Sequence, residues 1–148
     1  MVVVPDASVL LKWALPSAEE PGADRALALL DAIREGELHA VVPSIWLYEV
    51  ANTIARRFPA QASQWLAALV KLGLEEAPIS EPWLNRALAL TRAYPVTFYD
   101  AAYHATALMV RGIFVTADRH YVGLTSREGA VTLLSDWTPP RPTSRRRR

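Results

Sequence analysis

The chain has 148 residues, 51% of them hydrophobic and 21% charged, which describes one globular domain with its own core and excludes a disordered protein. It has no cysteine, so a disulfide framework, a thiolate zinc site and a cysteine nucleophile are excluded, and a reducing, cytoplasmic location is expected. The net charge of +1 is unevenly spread: Arg141 and Arg145 to Arg148 lie at the very end, and residues 1–140 carry 11 basic against 15 acidic groups, a net of −4. Charge alone therefore does not make the body a nucleic-acid binder.

In chain order, the β-branched run Val2-Val3-Val4 stops at Pro5-Asp6 and reads as a buried strand. Ala7 to Leu15 is helical in pattern, and Pro16 to Gly22 is a break. Ala23 to Arg34 is an amphipathic helix with Ala26, Leu27, Leu30 and Ile33 on one face and Gly36 just past its end. His39 to Val42 is a second strand. Pro43-Ser44 is expected to open the next helix, with Ser44 as N-cap, running to about Phe58. Gln61 to Leu72 is helical, Glu75 to Ile79 a short strand, and Ser80 to Tyr94 a helix with proline in its first turn. Thr97-x-x-Asp100 resembles a capping box and starts a helix that runs to Gly112. Ile113 to Thr116 and Val131 to Leu134 are the last strands. Residues 1–138 are expected to form one domain, and 139–148 a basic, disordered tail. No window is long enough to span a membrane, and the N-terminal apolar stretch lacks a basic leader and is cut by Pro5, Asp6 and Lys12, so no signal peptide is expected.

Short apolar strands alternating with helices predict an α/β fold with a mostly parallel sheet covered on both faces. Such sheets bind ligands outside the carboxyl ends of their strands. Asp6 directly follows the first strand and Asp118 follows the Ile113–Thr116 strand by two residues, so both belong to that edge. Asp100 falls in the first turn of its helix. Glu49 falls in the second turn of the helix after strand two, among Ile45, Trp46, Val50 and Ile54. Each has an ordinary reading: Asp6 as a helix cap, Asp118 as the start of a turn, Asp100 as the partner of Thr97. Glu49 is harder to explain that way, because a carboxylate among apolar residues needs a partner or a cation. Four acids brought together would repel one another unless a cation offset the charge, and hard oxygen donors without cysteine favour Mg²⁺ or Mn²⁺ over Zn²⁺.

Four segments carry a family resemblance: Val2-Val3-Val4-Pro5-Asp6-Ala7-Ser8; Pro43-Ser44 through Glu49-Val50 to Asn52; Thr97 through Tyr99-Asp100-Ala101 to Tyr103; and Val115-Thr116-Ala117-Asp118-Arg119 to Tyr121. In order, spacing and hydrophobic context they resemble the motifs of PIN-domain ribonucleases, and within these the VapC-type toxins of prokaryotic toxin–antitoxin pairs. The resemblance runs from Val2 to about Trp137. It implies a single domain with five parallel strands in the order 3-2-1-4-5. It also implies that Asp6, Glu49, Asp100 and Asp118 are catalytic and hold Mg²⁺ or Mn²⁺, one or two ions. Metal-assisted hydrolysis of RNA to 5′-phosphate and 3′-hydroxyl ends, a VapB-like antitoxin partner and a homodimer follow from it. The arginine-rich tail is no part of the family pattern.

Around the acids, Ser8 and Thr116 are hydroxyls placed to bond the carboxylates of Asp6 and Asp118, or else local turn groups. Asn52 is one turn from Glu49 and placed to orient it. Arg119 and the tail residues Arg145, Arg146, Arg147 and Arg148 are candidates for contacting RNA phosphates, against the plainer readings of a loop arginine and a solvated tail. His104 is expected to be a satisfied or exposed histidine rather than a ligand; His39 and His120 carry no signal. Two rivals stand beside the nuclease reading. One is a PIN-like binding module without activity. The other is a phosphotransfer or phosphatase domain on a similar sheet, which would need a second acid close to Asp6, where Ala7-Ser8 stand instead. Of the large apolar residues Trp13, Leu15, Trp46, Trp65 and Leu69, most are expected in the core, and some in an antitoxin groove or a homodimer face.

Overall fold

Val2–Pro5 is the central strand, β1, of a five-stranded sheet in a computed structural model that describes residues 1–139. The strands β2 (His39–Pro43), β3 (Glu75–Ala77), β4 (Ile113–Thr116) and β5 (Val131–Leu133) complete it in the order β3-β2-β1-β4-β5. Every pairing is parallel, with Val3 opposite Ala40 on one side and Ile113 on the other. The expected α/β fold and strand order 3-2-1-4-5 are thus observed. The arginines 145–148 lie outside the described residues.

Among the described residues seven α-helices connect and cover the sheet: α1 (Ala7–Ala14), α2 (Ala23–Arg34), α3 (Trp46–Arg57), α4 (Ala62–Val70), α5 (Glu81–Ala93), α6 (Phe98–Val110) and α7 (Arg119–Thr125). Side chains alternate across the strands, so neighbouring strand residues feed different cores. Val4, Val42 and Phe114 join Leu10, Val50, Ile54 and Tyr103 on one face; Val3, Ala40 and Val115 join Val9, Ala26 and Leu29 on the other. A third cluster joins α5 to α6, where Ala101, Ala102 and Ala105 let Trp83, Ala87 and Leu90 approach closely. The Trp83 indole N–H is satisfied there by Thr106 Oγ1 at 2.9 Å.

Two local expectations are corrected. Ser44 does not cap α3: Pro43 is drawn into β2 opposite Ala77, the helix starts only at Trp46, and Ile45 occupies the cap position without a side-chain bond. Glu49 consequently stands in the first turn of α3, not the second. Residues after Asp118, read as a turn, form α7, which Asp118 caps through its bond to the Tyr121 amide. Arg119 is thus the first residue of a helix and not a loop residue. Where α6 passes to β4, Arg111 closes the helix in the left-handed region at φ 54°. The next residue must be glycine for room, because a Cβ at Gly112 would lie 2.9 Å from the Val2 carbonyl oxygen.

Candidate active site

Parallel strands deliver their carboxyl ends to one edge, and there the chain places its acids. Asp6 leaves β1 and caps α1, its Oδ1 accepting from the Val9 amide at 3.2 Å. Ser8 donates its hydroxyl to the same oxygen at 2.5 Å, and Thr116, the last residue of β4, donates to Oδ2 at 2.6 Å. Both hydroxyls also accept. Ser8 Oγ takes the Ala117 amide at 3.0 Å, and Thr116 Oγ1 takes the Asp118 amide at 3.0 Å. Ser8 and Thr116 therefore do more than turn bonding: they tie the end of β1 to the end of β4 and hold Asp6 between them. The ordinary reading of Asp6 as a cap is observed, and it is compatible with a site role, because the cap uses one lone pair and leaves the carboxylate charge in place.

Glu49 and Asp100 arrive from α3 and α6. Tyr103, one turn after Asp100, donates its hydroxyl to Glu49 Oε1 at 2.9 Å. Its ring is buried and lies nearly parallel to Phe114, centroids 6.0 Å apart. Tyr103 stands in the sequence one helical turn after Asp100, on the buried face of its helix, and that position is the signal for its role. Asn52 is exposed, and among the described residues its side chain has no hydrogen bond to Glu49; Tyr103 takes that place. Asp100 is held by Thr97, whose Oγ1 accepts the Asp100 amide and donates to Oδ2, both at 3.1 Å. Asp118 is exposed and completes the edge.

Electrostatics link these groups. Asp6 is only 7% exposed, and burial pushes its pKa up to about 6 against the help of its hydrogen bonds, with the Asp100 charge adding to the rise. Burial also raises Glu49 above the usual range, and the charges of Asp100 and Asp6 raise it further. Asp100 is raised by burial and then by Asp118. Asp100 thus acts on both Asp6 and Glu49 and is itself acted on by Asp118, along an edge that runs from buried Asp6 to exposed Asp118. None of the acids that Asp6 senses comes from its own loop, which is where a phosphotransfer domain would place them.

Among the described residues no three of these side chains close on one point as a finished chelate would. The donor set still fits a hard divalent cation. Mg²⁺ keeps several waters and needs only one or two carboxylates, and an edge whose carboxyl pKa values are raised by burial and mutual repulsion gains most from a positive ion. The histidines do not contribute. His104 is buried with both nitrogens occupied, Nδ1 by Tyr121 Oη at 2.9 Å and Nε2 by the Gly129 carbonyl at 2.8 Å, so it is satisfied and not exposed. His39 pairs with Glu75 at the surface and His120 is exposed.

The Asp6 shift has a measurable consequence. Its folded pKa of about 6 lies above the unfolded value of 3.8, so the folded state binds the extra proton. Without divalent cation, stability contributed through Asp6 is full below pH 4 and is lost as pH rises through 6, by roughly 3 kcal/mol at about 1.4 kcal/mol per unit. In chelator, the melting temperature of Asp6→Asn relative to the native chain is expected to rise from pH 4.5 to pH 7.5. A difference that does not change with pH would contradict the burial argument.

A model of the PIN domain family matches residues 3–124. A search of curated proteins finds no significant match. Among solved structures, the chain is similar to VapBC2 from Rickettsia felis bound to a DNA fragment from their promoter, with 14% identity, 90% of this chain and 97% of that chain covered, and a TM-score of 0.66. It is similar to VapC20 of Mycobacterium tuberculosis, described as a sarcin–ricin loop cleaving toxin, at 18% identity, 87% and 96% coverage and a TM-score of 0.64. A toxin–antitoxin complex from Klebsiella pneumoniae aligns at 20% identity, 93% and 98% coverage and a TM-score of 0.61. At such identities the structures speak for the fold. The family assignment rests on the sequence match, which takes in Asp6, Glu49, Asp100 and Asp118: this chain belongs to the PIN domain family.

Proposed function

We propose that the chain is a Mg²⁺- or Mn²⁺-dependent endoribonuclease and the toxin of a type II toxin–antitoxin pair. The observation that carries this reading is the carboxylate edge. Asp6, Glu49 and Asp100 come from three separate elements, each raises or is raised by another, and Asp6 is clamped by hydroxyls that join β1 to β4. A fold does not retain mutually repelling, partly buried acids for stability, since apolar side chains would pack there at lower cost. Bound at this edge, a divalent cation supplies Lewis acidity toward the scissile phosphate and makes water more acidic. Asp6, Glu49, Asp100 and Asp118 hold it; Ser8, Thr116, Thr97 and Tyr103 keep those carboxylates oriented. Buried His104 has both ring nitrogens occupied and is not available as a base. Incubation of the purified chain with RNA in Mn²⁺, and in chelator, tests the reading. Cleavage that persists in chelator, or none on any RNA, sinks it, and the second outcome leaves a binding module.

The structures similar to this chain include toxin–antitoxin complexes, which supports an antitoxin partner. Its place on this chain is the groove between α1, α2 and α4, where half-buried Trp13 and Trp65 stand beside Arg34 and Leu72. Homodimerisation is assigned to a different face. Tyr48, Ile79, Leu84, Phe98 and Tyr99 are exposed around one apolar depression of about 240 Å³ between α3, α5 and α6. Sedimentation equilibrium is expected to give twice the 16.4 kDa chain mass, and Tyr48→Glu to halve it. A native monomer at micromolar concentration removes the dimer. Among the described residues no helix is long and apolar enough to cross a membrane.

A further inference from the structure

Beside the acids lies a cleft of about 530 Å³ that no part of the reaction described so far uses. Lys12, Arg25 and Arg119 line it together with Ala117, Leu134 and Ser135, and among the described residues no carboxylate does. It opens at the same sheet edge as the acids. Ala117 gives its amide to Ser8, which holds Asp6, and Arg119 directly follows Asp118. Lys12 lies one turn after Ser8 on α1 and is almost wholly buried.

The three cations are not spent on one another's neighbours in equal measure. Lys12 is paired with Glu20 at 3.3 Å, and Glu20 is shared with Arg57 at 3.7 Å, so that one carboxylate offsets two cations. Arg25 and Arg119 are exposed and have no ion pair among the described residues. Arg25 donates through Nη1 to the Trp137 carbonyl, which fixes the guanidinium and leaves its other donors available. An arginine anchored in this way loses less freedom when it binds an anion. The wall is therefore a preorganised positive surface on a chain whose described body is otherwise acidic.

We propose that this cleft binds backbone phosphates of the RNA strand next to the one at the carboxylate edge, with Arg25 and Arg119 as the contacting groups and Lys12 raising the local potential. The proposal rests on the nuclease reading. An acidic edge has no affinity of its own for a polyanion, and a strand whose scissile phosphate lies at Asp6 and Asp118 finds the basic cleft directly beside it, past Ala117 and Arg119. Its non-reacting phosphates then meet cations within the cleft and not the net −4 of the body.

The test uses the full chain carrying Asp6→Asn, so that RNA is bound and not cut, and a short fluorescein-labelled single-stranded RNA in a potassium chloride series. Adding Arg25→Gln and Arg119→Gln is expected to weaken binding on the order of a hundredfold, about tenfold per charge-assisted bond. The log–log salt slope should flatten by about 1.4, at roughly 0.7 per phosphate contact. Arg25→Gln also removes the Trp137 contact, so Arg119→Gln alone is the second variant, with a slope change of about 0.7. Arg86→Gln with Arg92→Gln, exposed on α5, should change neither quantity. Equal affinity and slope in the cleft variants, or an equal loss in the α5 control, overturns the proposal. So does a poly-glutamate peptide that needs Arg25 and Arg119 when RNA does not, since the cleft then receives an acidic protein segment. A native chain that binds RNA through these arginines yet never cuts it in Mn²⁺ removes the nuclease reading and supports the cleft.

Discussion

Asp100→Asn is expected to lower Mn²⁺-dependent RNA cleavage by at least a thousandfold while leaving the chain folded. Asp100 is the shared neighbour of the site: its charge raises the pKa of both Asp6 and Glu49, and it feels Asp118 in turn. A cation that relieves this repulsion depends on Asp100 more than on any other single group. Replacing the carboxylate removes a charge and a hard ligand, and a loss of about 4 kcal/mol of transition-state stabilisation corresponds to roughly a thousandfold in rate. Asparagine keeps the volume, and the α6 cap survives because Thr97 Oγ1 accepts from the Asp100 amide, not from its side chain. In chelator the variant should melt at or above the native temperature, since one member of a repelling set is gone. Single-turnover cleavage of one labelled RNA measures the effect. Activity within tenfold of native would take Asp100 out of the cation site.

The largest expected effect on stability is at Phe114. Its ring is 1% exposed and lies against Tyr103, His104 and Tyr121, with centroids at 6.0, 5.8 and 5.4 Å. Phe114→Ala removes that centre and leaves a cavity under β4, at a cost of about 3–5 kcal/mol. Phe114→Leu should cost less than half as much, because most of the volume is kept. Two of the three neighbours also serve the site: Tyr103 holds Glu49, and the amide of Tyr121 is the group that Asp118 caps. The alanine variant should therefore lose Mn²⁺-dependent cleavage beyond its loss of folded fraction. Urea unfolding with a parallel rate measurement separates the two effects. A change below about 1 kcal/mol would mean that the aromatic cluster closes over the gap.

Much of this architecture is written in local pattern. The β-branched run at Val2–Val4 and the apolar run at Ile113–Thr116 can bury both faces only as strands between helices, and the alternation with helical periods requires a parallel sheet. Asp6 and Asp118 are legible for the same reason: a residue that follows a buried strand must emerge at the ligand edge, whatever its partners are. Caps at Ser80 and Thr97 are equally local, because an N-cap bonds amides two or three residues away. Other features depend on which strand lies beside which. Ser8 can reach the Ala117 amide, and Thr116 can reach Asp6, only because β4 pairs with β1 in a register that sets Pro5 opposite Val115. The Tyr103–Glu49 bond joins residues 54 apart through the packing of α6 and α3, and no spacing rule could have preferred it to nearby Asn52. Ser44 has the residue type of a cap, but the pairing of Pro43 with Ala77 moves the helix start past it. Helix α7, seven residues long, is too short for a period to show and is fixed by the Asp118 cap and the burial of Tyr121. The basic cleft is the furthest from sequence: Lys12, Arg25 and Arg119 meet because α1, α2 and the start of α7 share one edge, and only the tertiary structure brings those three elements together.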